Sequence, residues 1–363
     1  MKWEKIIFLK KRQALMIKPK VAFITPSLGM GGAERWVVTL VKYLQNLNPY
    51  LILNLSGQSD KILLDSVPNR TQILSNFYSN PESIIDSLHE ADAVISWCFN
   101  LNLNLKEKLK CPTIDVSHSD PVWKNHEILI EQTSKNSLYH VGVSKVAASS
   151  FKNNKSEVIY NGIDTERLKE VKGRNKQREE WGCENNKIVL FLSRLSEEKN
   201  PKIILECSYM FDESWKFIFV DTGSLKNEFN NIKNDNIKIV KKTENVGDYY
   251  AAADVVVLPS DVEGMPLILL ESWYCGVPVV TTKHSSYLEL IDLHGELSLS
   301  TNVRPTAIDF SEKIKESFIY GRCYNKIHLA KKIVEENYTH EIMIKNWENY
   351  IFSKIKEYND NKS

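Results

Sequence analysis

The chain has 363 residues, 42% of them hydrophobic, which is more apolar material than one core usually organises and predicts two domains. Lys plus Arg (47) nearly balances Asp plus Glu (46), which removes the broad positive field on which binding to a nucleic-acid polymer depends. Its six cysteines, at 98, 111, 183, 207, 275 and 323, form no CxxC pair and fall mostly in apolar segments. They read as reduced core thiols in a cytoplasmic protein, not as a disulfide or zinc framework.

No run approaches the roughly 20 apolar residues that a membrane-spanning helix requires. The first residues are basic: Lys2, Lys5, Lys10, Lys11, Arg12, Lys18 and Lys20 oppose only Glu4 around the short apolar piece Ile6 to Leu9. That piece is too short for a secretory signal and lacks a small-residue cleavage site. Residues 1–15 are expected to be either a disordered extension or a basic arm touching the cytoplasmic membrane face peripherally.

From residue 16 to 164 the pattern predicts a first parallel α/β domain. Val21 to Thr25 reads as a strand, followed by the loop PSLGMGG and an amphipathic helix with Trp36, Val37, Leu40, Val41 and Leu44 on its apolar face. Further strands are predicted at Tyr50 to Leu55, Ala93 to Trp97, Thr113 to Val116, Tyr139 to Val143 and Glu157 to Tyr160. The polar segment 165–186, with Gly173 and Gly182, reads as an interdomain linker. A second doubly wound domain then spans 187–340, with strands at Lys187 to Leu192, Trp215 to Val220, Ile237 to Val240, Val255 to Leu258 and Pro278 to Thr281. The segment 341–363 is a helix with Met343, Trp347, Tyr350, Ile351, Ile355 and Tyr358 on one face.

The residues that could carry chemistry sit at strand ends, where open parallel sheets bind ligands. Gly29, Gly31 and Gly32 permit close backbone approach in the first strand-to-helix loop, while Glu34 and Arg35 read as an exposed helix start. This loop is not GxGxxG, and no acid suitably placed on the second strand end supports a nicotinamide cofactor. His118, in DVSHSD, lies just past a strand, with Asp120 as a weaker neighbour. In FLSRLSEEKN, Arg194 and Lys199 could neutralise a diphosphate, although Glu197 and Glu198 are also available to pair with them. Thr222 and Gly223 occupy another such loop. In the stretch ADVVVLPSDVEGMPLILLESWYCGVPVV, a buried strand leads through Glu263 and Gly264 to a helix that Pro266 can begin, with Glu271 about two turns further on. Turn amides and two carboxylates on that unit could address a phosphate and a polyhydroxylated group together.

The glycine loop, VIYNGID, SRLSEEK, VDTGSLKNEF and EGMPLILLE occur in an order that resembles the motifs of family 4 glycosyltransferases (glycosyl transferases group 1), from Val21 to about Pro278. The resemblance implies the GT-B fold: two facing Rossmann-like domains with a central cleft, the terminal helix crossing back to the first domain. It implies a retaining transferase that moves a sugar from a nucleoside-diphosphate-sugar co-substrate to a carbohydrate or lipid-linked acceptor hydroxyl, with no cofactor. No clear Asp-x-Asp motif is present to anchor a metal. Arg194, Lys199 and the Gly264, Met265 and Leu267 amides would hold the diphosphate, faced across the cleft by Gly31 and Gly32. Glu271 would bind ribose, and Glu263 and His118 would meet the sugar. Thr222 and Gly223 would lie near the nucleotide, although Asp221 and Ser224 depart from the family's more glycine-rich loop. Asn100, Asp120, Trp123 and His126 are placed on the acceptor side by position. The rival readings are a nucleotide-sugar epimerase of similar fold and a non-catalytic nucleotide-sugar-binding subunit.

Overall fold

In this computed structural model the described residues are 18–29, 31–53, 59–75, 82–97, 104–122, 135–151, 155–295, 300–320 and 324–362. The expectations for residues 1–15, Asn100, Trp123, His126, Cys98 and Cys323 fall outside them. The first sheet has seven strands: β1 (Lys20–Thr25), β2 (Asn48–Leu53), β3 (Ile73–Ser75), β4 (Ala93–Ser96), β5 (Thr113–Ser117), β6 (Tyr139–Gly142) and β7 (Ser156–Val158). Its order is β3-β2-β1-β4-β5-β6-β7, parallel throughout, with Val21 opposite Ala93 and Pro49 opposite Val21 on the other side. The second sheet has six: β8 (Lys187–Phe191), β9 (Trp215–Val220), β10 (Ile237–Val240), β11 (Val255–Leu258), β12 (Val279–Thr282) and β13 (Ser300–Val303). They run β10-β9-β8-β11-β12-β13, also parallel.

Each sheet reverses its strand order once, between β1 and β4 and between β8 and β11. The loops after β1, β8 and β11 therefore open at the two crevices where such sheets take ligands. Central strands are apolar on both faces because helices cover them; Val255, Val256, Val257 and Leu258 are all fully buried. The short strands β3 and β13 were not expected. Ile73–Ser75 has no fully buried residue, so no apolar run marked it, and its neighbour β2 decides its pairing.

The polar segment read as a linker is largely structured. Helix Arg174–Trp181 packs on the second domain, where Arg174 and Arg178 hold the buried carboxylate of Asp254 at 2.5 and 2.7 Å. The helix meets its domain through these guanidinium groups and one aromatic, Trp181, whose ring stands edge-on to Tyr249 at 5.0 Å, so its composition is polar although it is docked. At the other end, helix His340–Asp360 lies on the first domain: Glu348 accepts from the amides of Gln45 and Asn46, and Trp347 stacks edge-on to Trp36 at 5.3 Å. The chain crosses beside its own return path at Gly162, where a Cβ would stand 2.2 Å from the Thr339 carbonyl oxygen. No helix among the described residues is long and apolar enough to cross a membrane.

Candidate functional site

Loops from both domains line a half-open cleft, whose space including its open mouth is about 1030 Å³. Its walls include Gly31, Gly32 and Arg35 from the first domain and Arg194, Lys199, Thr222, Glu263, Leu267 and Glu271 from the second. A neighbouring chamber is bounded by His118, Asp120, Asn161 and Gly264, and shares Gly31, Gly32, Arg194, Lys199, Glu263 and Met265. Among the described residues, those predicted from the sequence in the two domains, Gly223 apart, are thus brought to one place. Gly223 stands behind the wall rather than in it. With φ at 109°, it lets its loop press on Leu195, where a Cβ would meet the carbonyl oxygen at 2.5 Å.

Helix Leu267–Cys275 begins at Pro266, which is its N-cap and not its first helical residue. The first-turn amides of Leu267 and Ile268 therefore lack an intrahelical carbonyl, and both residues line the cleft, a suitable environment for an anion. Lys199 reaches the same wall and donates to Glu263 at 2.7 Å, both side chains being mostly buried. Burial alone would raise the Glu263 carboxyl, but the Lys199 charge and hydrogen bond hold it below its ordinary value. Arg194 remains more exposed and pairs with Glu198 at 3.2 Å, while Lys202 takes Glu197. The local pairing offered by the sequence is therefore realised for Arg194, and Lys199 turns inward instead.

Gly264 closes the site against the first domain. A Cβ on it would lie 1.9 Å from the His118 carbonyl oxygen, and its own carbonyl accepts from the Ser144 hydroxyl at 2.6 Å. The His118 ring packs against Trp36 at 4.7 Å and Trp97 at 6.2 Å, and burial pushes its pKa down to about 3, so it is neutral at pH 7. Its Nε2, Asp120 Oδ2 and Asn161 Oδ1 are buried without a partner in the chamber wall. Such orphaned groups carry a desolvation cost unless something polar arrives to pair with them. Asn161, in the YNGID turn, brings its unpaired oxygen to the chamber wall. His284 caps helix Ser285–His294 by accepting from the Tyr287 amide; burial pushes it down to about 4, although the charge of Glu263 opposes this.

Glu34 and Arg35 are not the exposed helix start that the sequence suggested. The Glu34 carboxyl folds back over Gly31, and burial lifts its pKa above the ordinary value against the pull of its own amide and Arg194. Arg35 is 8% exposed and forms two bonds with Glu244, at 2.6 and 2.8 Å. Glu271 is also held on both oxygens: Arg167 donates to one at 3.1 Å and the Tyr250 hydroxyl to the other at 2.7 Å, which leaves each oxygen a further acceptor site. Across the mouth, Lys242 pairs with Asp60 of the first domain. Sequence reasoning missed Arg35, Arg167, Glu244 and Tyr250. The only available signal was that Arg35 follows the glycines and Arg167 follows the NGID turn.

Residues 173–318 match the family model described as glycosyl transferases group 1. Among curated proteins, the chain is 26% identical over 357 residues to a Campylobacter jejuni enzyme, with 89% of this chain and 91% of that protein covered. That enzyme is named GalNAc-alpha-(1->4)-GalNAc-alpha-(1->3)-diNAcBac-PP-undecaprenol alpha-1,4-N-acetyl-D-galactosaminyltransferase. Among solved structures, Anabaena Alr3699/HepE in complex with UDP and glucose superposes with a TM-score of 0.78 at 19% identity, covering 92% of this chain and all (100%) of that one. WaaG, a glycosyltransferase involved in lipopolysaccharide biosynthesis, gives 0.68 at 15% identity over 90% of this chain and 98% of its own. With the paired sheets, the facing crevices and these likenesses in hand, the chain is a glycosyltransferase of the GT-B fold, and the part that resembles the glycosyl transferases group 1 model lies mostly in its second domain.

Proposed function

We propose that this enzyme is a retaining, metal-independent glycosyltransferase that moves a sugar from a nucleoside diphosphate to an acceptor hydroxyl in glycan, polysaccharide or glycolipid assembly. The observation that carries the reading is the convergence of Lys199, Arg194 and the unbonded first-turn amides of helix Leu267–Cys275 on one cleft wall opposite Gly31 and Gly32. Positive charge and oriented amides at one spot suit a diphosphate, and their effect grows as the leaving group gains charge. Glu271, already oriented by Arg167 and Tyr250, would receive the ribose hydroxyls. Glu263, kept ionised by Lys199, would favour positive charge developing at the anomeric carbon. Neutral His118 would hydrogen-bond the sugar from the first domain, beside Asp120 and Asn161.

In this reaction the bond from the anomeric carbon to the diphosphate oxygen breaks, and the acceptor oxygen bonds the same face. The acceptor proton passes to the departing diphosphate, so no protein base is required. The relatives named for a PP-undecaprenol-linked acceptor and for lipopolysaccharide biosynthesis support a carbohydrate or lipid-linked acceptor. No cofactor enters the scheme, only the nucleotide-sugar co-substrate. A donor and acceptor array read by mass spectrometry would identify a working pair, after which product NMR reads the anomeric configuration with and without chelator. Retained configuration and chelator-insensitive transfer are expected. An inverted product, or loss restored only by one divalent metal, would reject the mechanism, and isomerisation of the donor without any acceptor would favour an epimerase.

A further inference from the structure

We propose that Arg35 and Glu244 are positioning residues that make the orientation of Glu271 depend on closure of the two domains. This rests on the reading of Glu271 as the ribose-binding acid. Arg35 projects from helix Gly32–Tyr43 of the first domain, directly after the cleft glycines, and both its terminal nitrogens engage Glu244 of the second domain. The same carboxylate lies 3.4 Å from Arg167 Nε, which donates to the Glu244 carbonyl at 3.2 Å. The other end of Arg167 donates to Glu271. Four side chains thus form an alternating file from the first domain to the acid: Arg35, Glu244, Arg167, Glu271. Two cations balance two anions, and both guanidinium groups are nearly buried, with side-chain exposures of 10% each.

The file has a mechanical consequence. While the domains are closed, Arg35 takes both Glu244 oxygens in a fork, leaving Arg167 Nη1 free to hold Glu271. When the first domain withdraws, Glu244 loses Arg35 and competes with Glu271 for the one remaining guanidinium. The acid is then held on one oxygen by Tyr250 while its other restraint is divided. Closure and ribose binding therefore favour one another, as linkage requires of two events sharing an intermediate group. Arg35 needs no contact with the nucleotide to have this effect.

The test is calorimetry on the full chain with UDP, GDP, ADP and inorganic pyrophosphate, using wild type, Arg35→Met, Glu271→Gln and the double variant. Arg35→Met should weaken the preferred nucleoside diphosphate about 10-fold while leaving pyrophosphate within about twofold, because the effect reaches the ribose acid and not the anion site. In the Glu271→Gln background the same substitution should cost about threefold or less, since the acid it positions is gone. Arg35→Lys keeps the charge without the fork and should fall between; it carries the comparison alone if Arg35→Met does not fold. Equal loss for pyrophosphate, or losses that simply add in the double variant, would overturn the inference while leaving the donor assignment intact. A wild-type protein that binds none of the three nucleotides would remove both.

Discussion

Lys199→Met is the most informative perturbation of this site, because the residue serves the fold and the ligand through one contact. Its ammonium lies 2.7 Å from Glu263, with side-chain exposures of 17% and 14%. Removing it leaves a buried carboxylate without its counter-ion, a change that typically costs about 3–5 kcal/mol. Arg194→Met provides the internal comparison. Arg194 pairs with Glu198 and its side chain is 44% exposed, so its loss should cost no more than about 1 kcal/mol. The pH dependence separates the two further. In wild type the Glu263 pKa is depressed, so its contribution is present above the unfolded value and is lost as pH falls. Without Lys199 the burial effect is opposed only by the smaller influences of His284 and Ser260 and raises that pKa, so the destabilisation should be largest near neutral pH and shrink as protonation neutralises the carboxyl. Both variants should weaken nucleoside diphosphate by roughly one to two decades, the worth of one well-formed charged contact. Urea unfolding at pH 7 and pH 4.5, with calorimetry at pH 7, reads all of this. Equal stability losses for the two variants, or a Lys199→Met loss that does not shrink in acid or in a Glu263→Gln background, would refute the reasoning.

Four further outcomes are expected. Gly264→Ala should cut turnover at least about 10-fold, since a methyl group cannot fit against the His118 carbonyl and forces the domains apart; Gly173→Ala, with open space around it but a φ of 81° that favours glycine, should cost about 1–3 kcal/mol of stability and leave the kinetics unchanged. Glu271→Gln should mainly weaken nucleotide binding, whereas Glu263→Gln should lower turnover more than nucleotide affinity; matching kinetic and binding profiles would contradict the separate roles. His118 is neutral because it is buried, so its contribution should be lost as pH falls from 6.5 toward about 3, and His118→Leu should flatten the acid limb of a stability profile while lowering turnover. Asp254→Asn should destabilise the second domain by about 3–5 kcal/mol in denaturant unfolding, because Arg174 and Arg178 both lose their anion.

Two domains were legible from length, and the parallel sheets from apolar strand runs alternating with helical patterns. Those runs are dictated locally: a strand covered on both faces must be apolar at every position, as Val255 to Leu258 are. Candidates in the loops that follow strand ends, Arg194, Lys199 and Glu263 among them, could likewise be named, because parallel sheets put ligand loops at a predictable edge, and these three line the cleft. Tertiary structure alone decided which partners those charges take. Within a few residues of sequence, Arg194 had Glu197 and Glu198 within reach and Lys199 had the same acids, yet one stays with Glu198 and the other crosses to Glu263. Arg35, Glu244, Arg167 and Glu271 are separated by long stretches of chain and become neighbours only when two sheets face each other across a cleft. Burial decides the remainder: it makes His118 neutral, raises Glu34 and turns a polar segment such as Arg174–Trp181 into a docked helix. Periodicity records which face of an element is apolar, whereas the charge state of a side chain depends on the dielectric and the counter-ions that the completed fold places around it.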